Sequence, residues 1–81
     1  MHKEGRVIIA LSYNEDKIKV SARVAGRSGR NVRELLHKVV VPIGGEVGGH
    51  PNAAGCLIPR TSEVEFIEEL RKLLDIEVVK V

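Results

Sequence analysis

Eighty-one residues, 43% apolar and 30% charged, make one folded module at most. At this size apolar burial and the roughly 1.5 kcal/mol per residue of ordering entropy nearly cancel, which excludes a full metabolic enzyme with its own cofactor domain. The net charge of +2 divides unevenly: residues 1–16 carry net −1, residues 17–60 carry eight basic against two acidic groups, net +6, and residues 61–81 carry net −3.

Arg6 to Tyr13 is rich in β-branched residues and short enough for a strand. Lys17 to Val24 alternates strictly, with Ile18, Val20, Ala22 and Val24 on one face and Lys17, Lys19, Ser21 and Arg23 on the other. Asn14-Glu15-Asp16 is turn chemistry, so the two strands read as a hairpin with one face of the second strand exposed. A basic stripe there is usually only a solvated face. Gly26 to Arg30 follows as a flexible loop, and Asn31 with Glu34 three residues on has the form of a capping box. Val32, Leu35, Leu36, Val39 and Val40 then recur at helical spacing, giving a helix from about 32 to 40 closed by Pro42.

Gly44 to Gly55 holds five of the chain's eight glycines and is expected to be a tight, functionally shaped loop. Within it Pro51 favours the first position of a helical turn, with Ala53 and Ala54 packed closely before Gly55 ends that turn. Cys56-Leu57-Ile58 reads as a short buried strand ended by Pro59. Ser62 with Glu65 is a second capping box, opening a helix to about Leu74 with Phe66, Ile67, Leu70, Leu73 and Leu74 toward the core. Ile76 to Val81 is a final strand. The order β-β-α-β-α-β implies an α+β two-layer domain, a mixed β-sheet with two helices packed against it.

Several chemistries are poorly supplied. Two-metal phosphoesterases need converging Asp, Glu and His ligands, and the only aspartates are Asp16 and Asp75, at predicted turns or element ends. His50 and Cys56 are too few for a structural zinc. They form a conceivable nucleophile–base pair, yet Cys56 opens an apolar strand, where a small buried thiol is the commoner role. The single cysteine excludes an internal disulfide framework and agrees with a reducing compartment. No apolar run approaches the roughly 20 residues that span a bilayer. Met1 to Arg6 lacks the apolar core of a secretory signal, so a cytoplasmic location and no membrane partner are expected. The absence of Gln, the single Met and the abundance of Glu, Lys, Arg, Val and Ile match a thermophilic source.

Two features point to a ligand. Arg23, Arg27, Arg30 and Arg33 surround the start of the first helix, where they oppose the helix dipole unless an anion is bound. Arg27 and Arg30, in a glycine-flexed loop, could wrap a phosphate or a carboxylate; a solvated surface offset by Glu34 is the plainer alternative. Gly44, Gly45, Gly48 and Gly49 let a ligand approach the main chain, and His50 would project beside them, able to hydrogen-bond a phosphate oxygen.

The string Gly48-Gly49-His50-Pro51-Asn52-Ala53-Ala54-Gly55 resembles the GGHxxAAG signature of the DHH-associated domain, the C-terminal domain of RecJ-like single-strand exonucleases, nanoRNases and related phosphoesterases. Upstream, Ser21-Ala22-Arg23 is similar to that family's S-x-R at a strand end and Asn31-Val32 to the N-V that opens its helix. The resemblance implies a single substrate-binding domain over residues 1–81. It would hold a single-stranded or short oligonucleotide for a separate catalytic DHH domain, absent from this chain, that binds manganese or magnesium. It further implies that Arg23 and His50 contact substrate phosphates, that the Gly48-Gly49 backbone lines the groove, and that Asn52 to Gly55 shape it. The chain has no DHH motif and no aspartate cluster, so no catalytic residue and no cofactor are expected in it. Glu46, close to the expected phosphate site, weakens anion binding unless it points away or pairs with an arginine. Two other roles stay open: the related domain of alanyl-tRNA synthetases, which serves tRNA contact and oligomerisation, and a homodimer built on exposed strand edges.

Overall fold

A computed structural model of the chain describes residues 6–24, 31–50 and 53–81. Alternation of apolar and polar residues builds the first hairpin. Strand β1 (Val7–Asn14) buries Val7, Ile9 and Leu11, and strand β2 (Lys17–Val24) buries Ile18, Val20 and Ala22 while leaving Lys17, Lys19, Ser21 and Arg23 exposed. They pair antiparallel from Val7↔Val24 to Asn14↔Lys17. Glu15 carries the reversal at φ 55°, a left-handed conformation that suits the twist of a two-residue turn.

Helix α1 (Val32–Val40) starts at Asn31, whose side-chain oxygen accepts the Glu34 backbone N–H at 3.0 Å. Val32, Leu36, Val39 and Val40 are buried and Leu35 partly so. Pro42 closes the helix by turning it into a 3-10 segment, Val41–Ile43, which Gly44 ends in the left-handed region at φ 80°.

The glycine-rich segment differs from its expectation. It is mostly sheet: strand β3 (Glu46–His50) pairs antiparallel with strand β4 (Ala53–Pro59), from Glu46↔Leu57 to His50↔Ala53. Ala53, Ala54 and Gly55 therefore extend the Cys56-Leu57-Ile58 strand backwards rather than completing a helical turn. Strand β4 also pairs antiparallel with β2, from Lys17↔Pro59 to Arg23↔Ala53. Helix α2 (Glu63–Leu73) follows a 3-10 turn, Arg60–Ser62. Ser62 makes no side-chain capping bond; the turn leads straight into the helix, with the Glu63 N–H bonded back to the Arg60 carbonyl. Glu63 and Glu65 in its first turn and Arg71 and Lys72 in its last complement the helix dipole. Strand β5 (Ile76–Lys80) pairs parallel with β1, from Val7↔Ile76 to Leu11↔Lys80.

The sheet order is β3-β4-β2-β1-β5, with one parallel pair at the β1–β5 edge. Both helices cover one sheet face in a single apolar core, so the molecule is the expected α+β, two-layer, mixed-sheet domain. The β-β-α-β-α-β order holds, with β3 as an additional strand ahead of β4. Phe66 and Leu70 of α2 are fully buried and Ile67 partly so, but Leu73 is 46% exposed: it stands off the buried stripe at the helix's last residue. Among the described residues no polar or charged side chain is buried. Among the described residues no helix packs against the second sheet face.

Candidate functional site

Side chains of cross-strand partners lie on the same face of a sheet. The strand register therefore defines three rows across the uncovered face. The first runs His50, Ala53, Arg23, Ile8 across β3, β4, β2 and β1. Two residues along lies Gly48, Gly55, Ser21, Ala10, and two further along Glu46, Leu57, Lys19, Ser12. Adjacent strands are about 4.8 Å apart, so the backbones of His50 and Arg23 stand roughly 10 Å apart on either side of the small Ala53. Residues 27 apart in sequence become neighbours in one row, both exposed, and neither has an ion-pair partner among the described residues.

Between the first and third rows the floor is almost bare, since Gly48 and Gly55 have no side chains. The result is an open depression of about 440 Å³ lined in part by Lys19, Ser21, Glu46, Gly48, Gly55 and Leu57. The two expected groove glycines do different jobs. A Cβ added at Gly48 meets nothing within 4 Å, so this position is open groove floor. Gly49 has φ 114° and pairs with buried Ala54; a Cβ there would lie 2.7 Å from the Ala54 Cα. Its glycine is required by the backbone of the β3–β4 pair.

Glu46 occupies the same face as His50 but four residues away along β3, about 13 Å at strand rise. It closes the far end of the depression, in the row that also holds Lys19. Arg6 adds a cation near the first row, with its Nε 4.0 Å from the Glu77 carboxylate, and Glu77 is the cross-strand partner of Ile8. Arg33 sits apart on the first turn of α1, in a shallow pocket of about 310 Å³ with Asn31, Glu34 and His37. Arg27, Arg30 and Asn52 lie outside the described residues.

Cys56 faces the core, 6% exposed, and burial pushes its thiol up to about 12. His50 is on the other face of the sheet. The conceivable nucleophile–base pair of these two residues is thus ruled out by parity, and by the thiol's neutrality. No group of three or more His, Cys, Asp or Glu converges among the described residues, so their donor set does not fit a manganese or magnesium site. Gly55 was not foreseen as the floor partner of Gly48. The two meet because each stands two residues from the end of the β3–β4 pairing, a register that the sequence does not show.

At the other end of the strands the charges are engaged with one another. The Lys80 ammonium lies 3.3 Å from the Glu63 carboxylate, the Arg60 guanidinium sits 5.1 Å from the centre of the Tyr13 ring, and the same guanidinium donates to the Glu15 carbonyl at 3.1 Å. Hydrogen bonding to Tyr13 holds the Glu63 carboxyl below its ordinary value. Hydrogen bonding to Glu63 in turn raises the Tyr13 phenol and the Lys80 ammonium. This cluster ties the β1–β2 turn to the start of α2 and to β5. Its two cations, Arg60 and Lys80, are both engaged within it.

Among the described residues no helix is long and apolar enough to cross a membrane. No curated protein matches the chain. The DHHA1 domain family matches it over residues 1–80, a span that takes in all five strands, both helices and the three rows of the uncovered face. The chain therefore belongs to the DHHA1 domain family, the domain associated with DHH-family phosphoesterases.

Proposed function

We propose that this domain holds the phosphodiester backbone of a single-stranded or short oligonucleotide for the metal-dependent catalytic domain of a RecJ-like DHH phosphoesterase or exonuclease. The observation that carries the reading is the row His50–Ala53–Arg23, where two exposed donors without an ion-pair partner among the described residues stand on either side of the small Ala53, beside the bare floor of the Gly48–Gly55 row. An arginine and a histidine about 10 Å apart can grip one phosphate from both sides or two successive phosphates, with charge-assisted hydrogen bonds. The bare floor at Gly48 and Gly55 lets the sugar-phosphate chain approach the sheet closely. Arg27, Arg30 and Asn52 join the proposal on sequence grounds alone.

Recognition is of backbone, not of base sequence. Phe66 is buried in the core and Tyr13 is engaged by Glu63 and Arg60, so no aromatic platform for base stacking faces this groove. The domain's contribution to turnover is positioning: holding the scissile phosphodiester against groups supplied elsewhere. The manganese or magnesium of the reaction belongs to the catalytic DHH domain, the partner this domain serves. A cytoplasmic setting accords with the unpaired, reduced Cys56.

Titrating a labelled single-stranded oligonucleotide with the 81-residue chain at increasing salt tests this. Binding that weakens steadily with salt and is indifferent to sequence is expected. Absence of binding at low salt, or binding insensitive to salt, contradicts it. A strong preference for tRNA over short single strands replaces this reading with that of the alanyl-tRNA-synthetase relatives.

A further inference from the structure

The uncovered face is not uniformly polar. On β1 and β5 it carries Ile8, 38% exposed, and Val79, 41% exposed, with half-buried Ala10 between them: Ala10 follows Ile8 at i+2 on the same face and is the cross-strand partner of Val79. Single exposed aliphatic residues are ordinary. These three are contiguous, and their inner edge abuts the phosphate row directly, since Ile8 pairs with Arg23 and Ala10 with Ser21. Cations and a bare floor on β2, β4 and β3 thus pass without a break into an aliphatic strip on β1 and β5.

Across the described face, a ligand held at Arg23 and His50 meets two acids, Glu46 and Glu77, each with a cation near it. Along the strands, the depression ends in the row that holds both Glu46 and Lys19, opposite charges that together give no net pull on a second phosphate. Across the strands, the first acid met is Glu77, which already faces Arg6 at 4.0 Å. Among the described residues, a continuous apolar path leads from the phosphate row over Ile8 and Ala10 to Val79. A ligand that matches it is amphipathic, anionic at one end and apolar and flat at the other.

We propose that the Ile8–Ala10–Val79 strip receives the nucleobase of the nucleotide whose phosphate is held by Arg23 and His50. The domain then distinguishes base-bearing strands from bare phosphodiester chains. This rests on the phosphate-holding role proposed above and adds the second half of the ligand. Contact between a base face and aliphatic side chains gains by removal of apolar surface from water, which is non-directional and accepts every base.

The test compares two ligands of equal charge, a single-stranded tetranucleotide and the corresponding abasic tetramer, on the full chain at low salt. The base-bearing strand is expected to bind about tenfold more tightly. In the double variant Ile8→Thr, Val79→Thr, which keeps β-branched residues in both strands, this preference should vanish while affinity for the abasic chain stays unchanged. Equal affinity of the wild-type chain for both ligands overturns the proposal and leaves the strip to a protein partner, such as the catalytic domain or a second copy. A preference that survives in a folded double variant also overturns it. If neither ligand binds, the phosphate-holding role itself fails, and the inference with it. Should the variant lose its far-UV signal, the ligand comparison on the wild-type chain still decides.

Discussion

The two ends of the sheet treat their charges in opposite ways. At the β1–β2 turn, Arg60, Lys80, Glu63 and Tyr13 satisfy one another and fasten separate elements together. At the far end, Arg23 and His50 stand in one row, exposed, with no ion-pair partner among the described residues. The first arrangement is accounted for by the fold. The second adds nothing to the packing of a small domain whose stability rests on one apolar layer, and it is the part to which the proposed phosphate-holding role is assigned. The distinction can be attacked by substitution, because each region should lose a different property.

The largest effect belongs to the core that both ends share. Phe66→Ala, at a fully buried position, should cost about 3–5 kcal/mol, much of the 5–15 kcal/mol typical of a domain, and chemical denaturation should show a largely unfolded chain. Next comes the pair of adjacent glycines. Gly49→Ala places a Cβ against Ala54 at φ 114° and should destabilise by about 1–3 kcal/mol. Gly48→Ala meets no protein atom within 4 Å and should leave the melting temperature nearly unchanged while weakening oligonucleotide binding, because the methyl group fills the floor. If the two variants melt alike, the division of roles between them is wrong.

Arg23→Ala and His50→Ala should each weaken oligonucleotide binding about tenfold with stability changed by less than about 0.5 kcal/mol. A variant that unfolds would move its residue from the binding end to the structural one. The smallest effect is expected at the fastened end. Glu63 has its carboxyl held below the ordinary range, so it adds stability above that range and loses it as pH falls through the lowered value. Lys80 and Tyr13 are raised, and their contribution is lost as pH rises through those values. Glu63→Gln should lower the melting temperature by only about 2 °C at neutral pH, flatten its decline in acid, and leave binding untouched.

Much of this architecture was legible in the chain. Strict alternation located β2 at Lys17–Val24, and the Asn31 cap with its apolar spacing located α1 at Val32–Val40. The glycine-rich segment misled, because Gly48 and Gly49 contribute no side chains to an alternation pattern, and β3 is a strand defined by its pairing rather than its periodicity. Ser62 misled for a different reason: the capping-box spacing is present, but a 3-10 turn leads into the helix and the hydroxyl makes no capping bond. Arg23 and His50 could be singled out individually from their motifs. Their common row could not, since it depends on the register of three strands, two of which meet through Ala53.

The central claim is that Arg23 contacts a phosphate. The direct measurement is the slope of log affinity against log salt for a single-stranded oligonucleotide, compared between the wild-type chain and Arg23→Ala. Each phosphate contact on a single strand contributes about 0.7 to that slope, so the variant's slope should be shallower by about 0.7. Parallel lines, with affinity lost equally at every salt concentration or not lost at all, would contradict the account.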